Sequence, residues 1–462
     1  MKQLETDVAV IGAGTAGLSA YRAAKSAGKN AILIEGGPYG TMCARVGCMP
    51  SKLLIAAAEA AHGAAHAAPF GVHIDGAVRI DGEQVMDRVK RERDRFVGFV
   101  LESVNAMPDE DKVRGYAHFL SDNLLQVGNH TQIQARGVVI ATGSTPVVPD
   151  MYRQLGDRLV VNDDVFSWNT LPRRLLVVGT GVIGLELGQA LSRLGVQVKV
   201  VGRSESLAGM SDPVVKASAL GAFQSEFALF LDTDVREVRR VGNEVEVRYA
   251  CKDEPETVER FDYVLMAAGR RPETGMLKLE NTSARLDGKG FPVFDRATLQ
   301  LEGAPIFIAG DVNGVTPLLH EAADDGHIAG GNAARFPDVQ PGQRRARLSV
   351  VFTDPQIAHI GAPFSALPKD AVIGKVDFDN QGRSRVMLKN RGMLRVYADK
   401  LSGRFLGAEM AGPSAEHIGH LLAWSLQQEL TVGQMLKMPF YHPVVEEGLR
   451  TALRDAAKQV EG

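Results

Sequence analysis

Two stretches of this chain carry one pattern: Val8-Ala-Val-Ile-Gly-Ala-Gly-Thr-Ala-Gly17 and Leu175-Leu-Val-Val-Gly-Thr-Gly-Val-Ile-Gly184. Each runs an apolar strand into three spaced glycines and a helix, followed by a second apolar run, Ala31 to Ile34 or Val196 to Val201. This is the βαβ unit that binds a dinucleotide. Its glycines permit a tight turn and close approach of backbone to a pyrophosphate, and the helix N-terminus supplies N–H groups and a positive dipole end. Glu35, 18 residues after Gly17, is placed to hydrogen-bond a ribose hydroxyl. Two such units imply two dinucleotides, and hence electrons passed between them. The alternative is that the second repeat is only a tight helix–strand turn. The fold class expected is α/β with two Rossmann-like dinucleotide domains.

The rest of the chain supports that frame. Its 462 residues allow two to four domains. A net charge of −3 shows no basic excess for nucleic acid or an anionic membrane surface. No apolar run approaches the roughly 20 residues of a membrane helix. The opening MKQLETD reads as the start of a strand rather than a signal peptide, and three cysteines argue against a disulfide-stapled secreted scaffold. A cytoplasmic location is expected. Strand-like runs at Arg136–Pro146, Phe261–Arg270 and Pro305–Asp311 punctuate the middle, and the charged stretch Glu83–Glu102 reads as a solvated helix. From about Arg347 the pattern becomes that of a separate α+β domain. The division expected is 1–148, 149–275, 276–345 (returning to the first domain) and 346–462. His62 and His66 have a spacing that can bind metal, yet no third ligand accompanies them; a packing helix is the better reading and no metal site is expected.

Cys43 and Cys48 lie in GTMCARVGCMPSK, with four residues between them. On a regular helix their Cα atoms would stand about 8–9 Å apart, and a disulfide needs less than about 7 Å. A bond therefore requires a distorted turn, which Gly47 could provide. So small a loop stabilises little, and a strained, exposed bridge suits redox work better than stapling. A zinc site wants a second ligand pair, which is absent; inert thiols are the other alternative. Cys251 reads as an ordinary strand residue. Redox chemistry also needs a base, and His442 in Pro439-Phe-Tyr-His442-Pro-Val-Val-Glu-Glu447 is the best candidate, with a carboxylate to fix its tautomer. Taken alone, His442 reads first as a surface histidine ahead of a helix opened by Pro443.

Together, two fingerprints, Cys-x4-Cys-x-Pro-Ser-Lys and a C-terminal His-Pro-x-x-x-Glu resemble the flavin-dependent pyridine-nucleotide disulfide oxidoreductases, most of all the dihydrolipoyl dehydrogenase branch, over essentially the whole chain. The resemblance implies FAD on the first fingerprint, held by Gly12, Gly14, Gly17 and Glu35, with Lys52, Ala117, Thr142, Gly143, Asp311, Leu319 and His320 also beside it. Cys48 would be the flavin-side thiolate and Cys43 the sulfur that meets substrate. Lys52 would pair with Glu186. His442, oriented by Glu447, would be the acid–base residue and reach the cysteines of the other subunit, which implies a homodimer with shared active sites. The last domain would be the dimerisation domain. NAD(P) would lie on Gly179, Gly181 and Gly184, with Arg203, Ser204 and Gly269. Electrons would pass from a dithiol, such as dihydrolipoamide on a lipoyl protein, through Cys43–Cys48 and FAD to the nicotinamide.

Some positions depart from the family pattern. The usual Gly-Gly-Thr-Cys is Gly40-Thr-Met-Cys43, and the usual His-x-His-Pro-Thr is Phe440-Tyr-His442-Pro-Val444, a more apolar entrance. Pro50-Ser-Lys52 differs from the Pro-Lys-Lys usual in glutathione reductases, and no cysteine pair follows Cys251 as mercuric or large thioredoxin reductases require. Gly202 stands 18 residues after Gly184, where Glu35 stands in the first unit, and Arg203, Ser204 and Ser206 follow. A 2′-phosphate repelled by Glu would be welcomed there, so NADP is favoured over NAD. The other readings are an NADPH-dependent reductase of another disulfide and a non-enzymatic flavoprotein redox sensor.

Overall fold

The computed structural model describes residues 1–252 and 254–461. The chain forms two compact units. The first comprises Met1–Leu53, Asp87–Val147 and Gly269–Arg344; the second comprises Leu54–Met86, Val148–Ala268 and Arg345–Gly462.

The first unit is built on one sheet. Strand Lys2–Ile11 lies at its centre, parallel to Ala31–Glu35 on one side and Thr131–Ile140 on the other. Lys112–Arg114 extends one edge, and Ile306–Ile308 pairs in parallel with Thr131–Ile140. Strands Ala117–Ser121 and Leu124–Val127 add an antiparallel hairpin. The parallel strands are covered on both faces, so Val8–Ile11, Val138–Ile140 and Ile306–Ile308 are apolar without alternation. Helices Thr15–Ser26 and Leu319–Arg335 lie unusually close. A Cβ at Gly326 would sit 2.1 Å from the Ala16 carbonyl oxygen, and one at Gly330 would sit 2.3 Å from that of Ala20. Only glycine permits this contact, which sets the first turns of Thr15–Ser26 against the middle of Leu319–Arg335.

The second unit contains a parallel sheet ordered Ala228–Phe230, Gln197–Val201, Arg174–Val178, Tyr263–Met266, Leu159–Val160. An antiparallel three-stranded sheet follows it, Thr233–Val241, Glu244–Cys251 and Thr257–Phe261, with Cys251 closing a strand. From Leu348 onward five antiparallel strands are backed by helices Ala415–Gln427 and Glu447–Ala457 over a core that includes Ile360, Leu394, Val396, Ile418 and Leu453. Among the described residues no helix is long and apolar enough to cross a membrane.

Candidate active site

The first fingerprint folds as its residues require. Gly12 takes φ +107°, and a Cβ there would lie 2.3 Å from the Ala141 carbonyl oxygen. A Cβ on Gly17 would strike the Gly12 carbonyl at 1.8 Å, whereas one on Gly14 would meet nothing within 4 Å. Two glycines are thus demanded by packing, and the third leaves an open approach at a helix N-terminus. Glu35 closes the cradle: Oε2 accepts from Ala13 N at 2.7 Å and Oε1 from Gly37 N at 2.6 Å. A carboxylate has about four acceptor positions, so two remain for ribose hydroxyls. Gly115 N donates to the Glu35 carbonyl, and Ala117 lies buried on the next strand.

Around this cradle the other sequence-selected residues are spread over neighbouring turns of the same unit. Thr142 Oγ1 donates to the Glu273 carbonyl at 2.6 Å, and Gly143 takes φ +74° with open space over its Cα. Asp311 follows Gly310 and accepts from Ser144 Oγ at 3.0 Å; that hydroxyl in turn accepts from Arg270 Nε at 2.9 Å. Leu319 and His320 open helix Leu319–Arg335. Among the described residues, the buried atoms His320 Nε2 and Tyr39 Oη have no hydrogen-bond partner. Buried polar atoms without partners are costly, and an open glycine cradle with such atoms in the same unit fits a large polar cofactor such as FAD.

The cysteines lie on either side of a helix break. Helix Met42–Val46 ends at Gly47 and helix Cys48–Ala65 begins immediately after. A Cβ at Gly47 would crowd Cys43 Cα at 3.2 Å, so glycine allows the two sulfurs to approach as a regular helix would not. Both are thiols here, Cys43 half-buried and Cys48 exposed. The Cys43 thiol is pushed far up, first by its hydrogen bond to the Cys48 sulfur and then by burial; the Cys48 backbone N–H and the Lys52 charge only partly oppose this. Thr41 caps the short helix with φ +56°, a strained value for a β-branched residue, and its Oγ1 accepts from Ala44 N. This is where the displaced hydroxyl of the sequence goes.

The C-terminal segment corrects one expectation. Pro443 does not open a helix: residues 442–446 form turns, and the helix starts at Glu447. The turn brings His442 Nδ1 within 2.9 Å of Glu447 Oε2, while Oε1 accepts from Arg450 at 2.9 Å. Partial desolvation pushes the Glu447 carboxyl up, but the hydrogen bonds from His442 and Val444 N hold it below its ordinary value. The His442 side chain is 80% exposed.

In the second unit Gly179 takes φ +126°, Gly184 packs on the Gly179 carbonyl and Gly181 is open, repeating the first cradle. Arg203 and Ser204 are exposed on the turn after strand Gln197–Val201. Glu186 is buried and accepts from Phe352 N at 2.9 Å. Gly269 lies in the first unit, where its carbonyl accepts from Val147 N. Lys52 likewise belongs to the first unit. Sequence reasoning passed over Ser144 and Arg270, whose roles depend on long-range pairing, and Thr180, which a comparison of the two fingerprints could have found because it replaces Ala13. The rings of His62 and His66 stack 4.0 Å apart. Among the described residues no three His, Cys, Asp or Glu side chains gather as a metal group.

Residues 6–326 match the family model described as pyridine nucleotide-disulphide oxidoreductase, and 348–453 match that family's dimerisation domain. A dihydrolipoyl dehydrogenase of Haloferax volcanii is 32% identical, covering 98% of this chain and 97% of the relative. One from Bacillus subtilis is 28% identical, covering 96% and 97%. The solved structure of an HOCl-induced flavoprotein disulfide reductase, RclA of Escherichia coli, shares the fold at a TM-score of 0.82 and 22% identity, covering 97% of this chain and 99% of that one. The chain therefore belongs to the pyridine nucleotide-disulphide oxidoreductases, FAD-dependent enzymes that exchange electrons between a disulfide and NAD(P), and it is similar over its whole length to dihydrolipoyl dehydrogenases.

Proposed function

We propose that this enzyme oxidises a dithiol of the dihydrolipoamide type, on a lipoyl protein or free, and reduces NADP+. The observation that carries the reading is the Cys43–Cys48 pair across the Gly47 break, with the Cys43 thiol pushed up by its hydrogen bond to Cys48 and by burial. His442, held by Glu447, takes a proton from the incoming dithiol. The substrate thiolate then attacks Cys43 of the oxidised pair, and the Cys43–Cys48 bond breaks with its electrons on Cys48. Resolution by the second substrate thiol releases the cyclic disulfide and leaves Cys43 reduced. FAD, held by Gly12, Gly14, Gly17, Glu35, Lys52, Ala117, Thr142, Gly143, Asp311, Leu319 and His320, would accept the electron pair and deliver it as hydride to the nicotinamide.

Residues 1–148 and 276–345 form the FAD domain, 149–275 the NAD(P) domain and 346–462 the dimerisation domain. The dimerisation match and the exposed Trp424, Leu421, Met438 and Tyr441 support a homodimer in which His442 serves a second copy's cysteines. A cytoplasmic setting keeps such thiols in play. NADP(H) is supported by Gly202 in place of an acid and by exposed Arg203, which makes no hydrogen bond or ion pair among the described residues. Gly179, Gly181, Gly184 and Ser204 complete that site. A second reading, NADPH-driven reduction of an apolar disulfide, is favoured by Phe440 and the 79%-exposed Tyr441 beside His442.

The test is anaerobic mixing of purified protein with dihydrolipoamide while the flavin spectrum is recorded. A long-wavelength band from thiolate beside flavin is expected. An unchanged oxidised spectrum would remove dihydrolipoamide as substrate.

A further inference from the structure

The two fingerprints can be superimposed by their hydrogen bonds. Gly12 N donates to the Ile34 carbonyl and Gly179 N to that of Val201, both at 2.8 Å. Glu35 and Gly202 are therefore equivalent, as are Ala13 and Thr180. In the first unit the small Ala13 leaves room for the acid, whose Oε2 meets Ala13 N. In the second that room is filled. A Cβ on Gly202 would stand 2.7 Å from Thr180 Oγ1, 2.8 Å from Cγ2 and 3.4 Å from Cβ. Both branches face Gly202, so turning χ1 exchanges one obstacle for the other. The side chain is also fixed: Thr180 is 7% exposed, and its Oγ1 donates to the Ser206 carbonyl at 2.6 Å. Its own carbonyl accepts from Ala208 N at 2.8 Å. Thr180 thus anchors the C-terminal end of the exposed turn of Arg203, Ser204 and Ser206, whose middle is met by Asp232 N on the Ser204 carbonyl at 3.5 Å and Lys216 Nζ on the Glu205 carbonyl at 3.3 Å.

We propose that Thr180 is a positioning residue that sets nucleotide specificity: its two branches exclude an acid at position 202, and its hydroxyl fixes the Arg203–Ser206 turn as the edge that receives the 2′-phosphate of NADP(H). This rests on the NADP(H) reading above. Thr180 acts through Gly202 and the turn, not on the reacting atoms.

The test measures NADP+ and NAD+ binding to the FAD-loaded protein by calorimetry, beside kcat and KM. Thr180→Val keeps the bulk and removes the hydroxyl. It should weaken NADP+ by about 5–10-fold, as loss of one hydrogen bond implies, with NAD+ nearly unchanged and the effect in KM rather than kcat. Thr180→Ser should restore NADP+ binding. Gly202→Glu alone should impair both nucleotides, and Thr180→Ala/Gly202→Glu should recover NAD+ selectively. If Gly202→Glu alone does not fold, recovery of folded protein in the double variant is itself the expected coupling. Unchanged NADP+ binding in Thr180→Val would overturn the turn-fixing role. Equal NAD+ binding by Gly202→Glu with Thr or Ala at 180, or failure of both chains to fold, would overturn the exclusion. Wild-type preference for NAD+ would refute the NADP(H) reading itself, which is scored on the unmodified protein and so fails separately from the coupling.

Discussion

Replacing His442 by Gln keeps a polar side chain and removes the imidazole. The geometry sets the expected loss. Nδ1 is committed to Glu447 at 2.9 Å, and that carboxylate is fixed from two further directions by Arg450 at 2.9 Å and Val444 N at 3.4 Å. Nε2 is then the nitrogen left to take a proton from the dithiol. A positioned general base contributes about 10²–10⁴-fold, so reduction of the flavin by dihydrolipoamide should slow by that factor near pH 7. Anaerobic stopped flow measures it directly. Stability should hardly change: the side chain is 80% exposed, and such surface substitutions fall within about 0.5 kcal/mol. A pH series adds a second check. Free thiols ionise near pH 8.5, so the substrate supplies its own thiolate at higher pH and the deficit should shrink. A rate within about threefold of wild type at pH 7, set against the expected range, would refute the assignment. So would a deficit that persists undiminished to pH 9.

In the reduced enzyme, Cys43→Ser should retain the long-wavelength band and Cys48→Ser should lose it, because Cys48 is the proposed flavin-side sulfur and Cys43 the one that meets substrate; absorbance of the two photoreduced variants decides this. Arg203→Ala should raise KM for NADPH by roughly 10–100-fold, the loss of one charge-assisted contact, with little effect on NADH; equal effects in steady-state assays would refute the 2′-phosphate reading. His359 donates from Nε2 to the Ala208 carbonyl at 3.2 Å and faces Glu409, with Arg347 beside it and Asp212, Arg395 and Tyr397 in the adjoining network. Burial lowers its folded-state pKa, so the unfolded chain binds the proton more readily. Stability present above about pH 6.5 is then lost as pH falls through the lower folded value, and His359→Gln should flatten that loss in urea midpoints from pH 7.5 to 5.5. Gly330→Ala would press a methyl against the Ala20 backbone and should cost about 1–3 kcal/mol in the same assay.

What could be read from the sequence follows from how far apart the cooperating residues lie. The glycine fingerprints were legible because strand, turn, helix and acid act within one βαβ unit. The cysteine pair was legible because Gly47 sits between the sulfurs and its missing side chain is what the geometry needs. His442 and Glu447 were legible as neighbours, but not as a turn: the sequence placed Pro443 at a helix start, and the structure begins that helix four residues later. The Asp311–Ser144–Arg270 chain was not legible, since its members are 167 and 126 residues apart and meet only when Ser144–Pro146 pairs with Arg270–Pro272. Thr180 falls between these cases. Its neighbours are local, yet its meaning appears only when a Cβ placed on Gly202 is seen to meet both branches of its side chain at under 3 Å. The absence of an acid at position 202 was visible in the sequence; that an acid could not be accommodated there is a property of packing. A substitution at 202 alone therefore tests the packing and leaves nucleotide choice unread, and only a paired change at 180 and 202 separates the two.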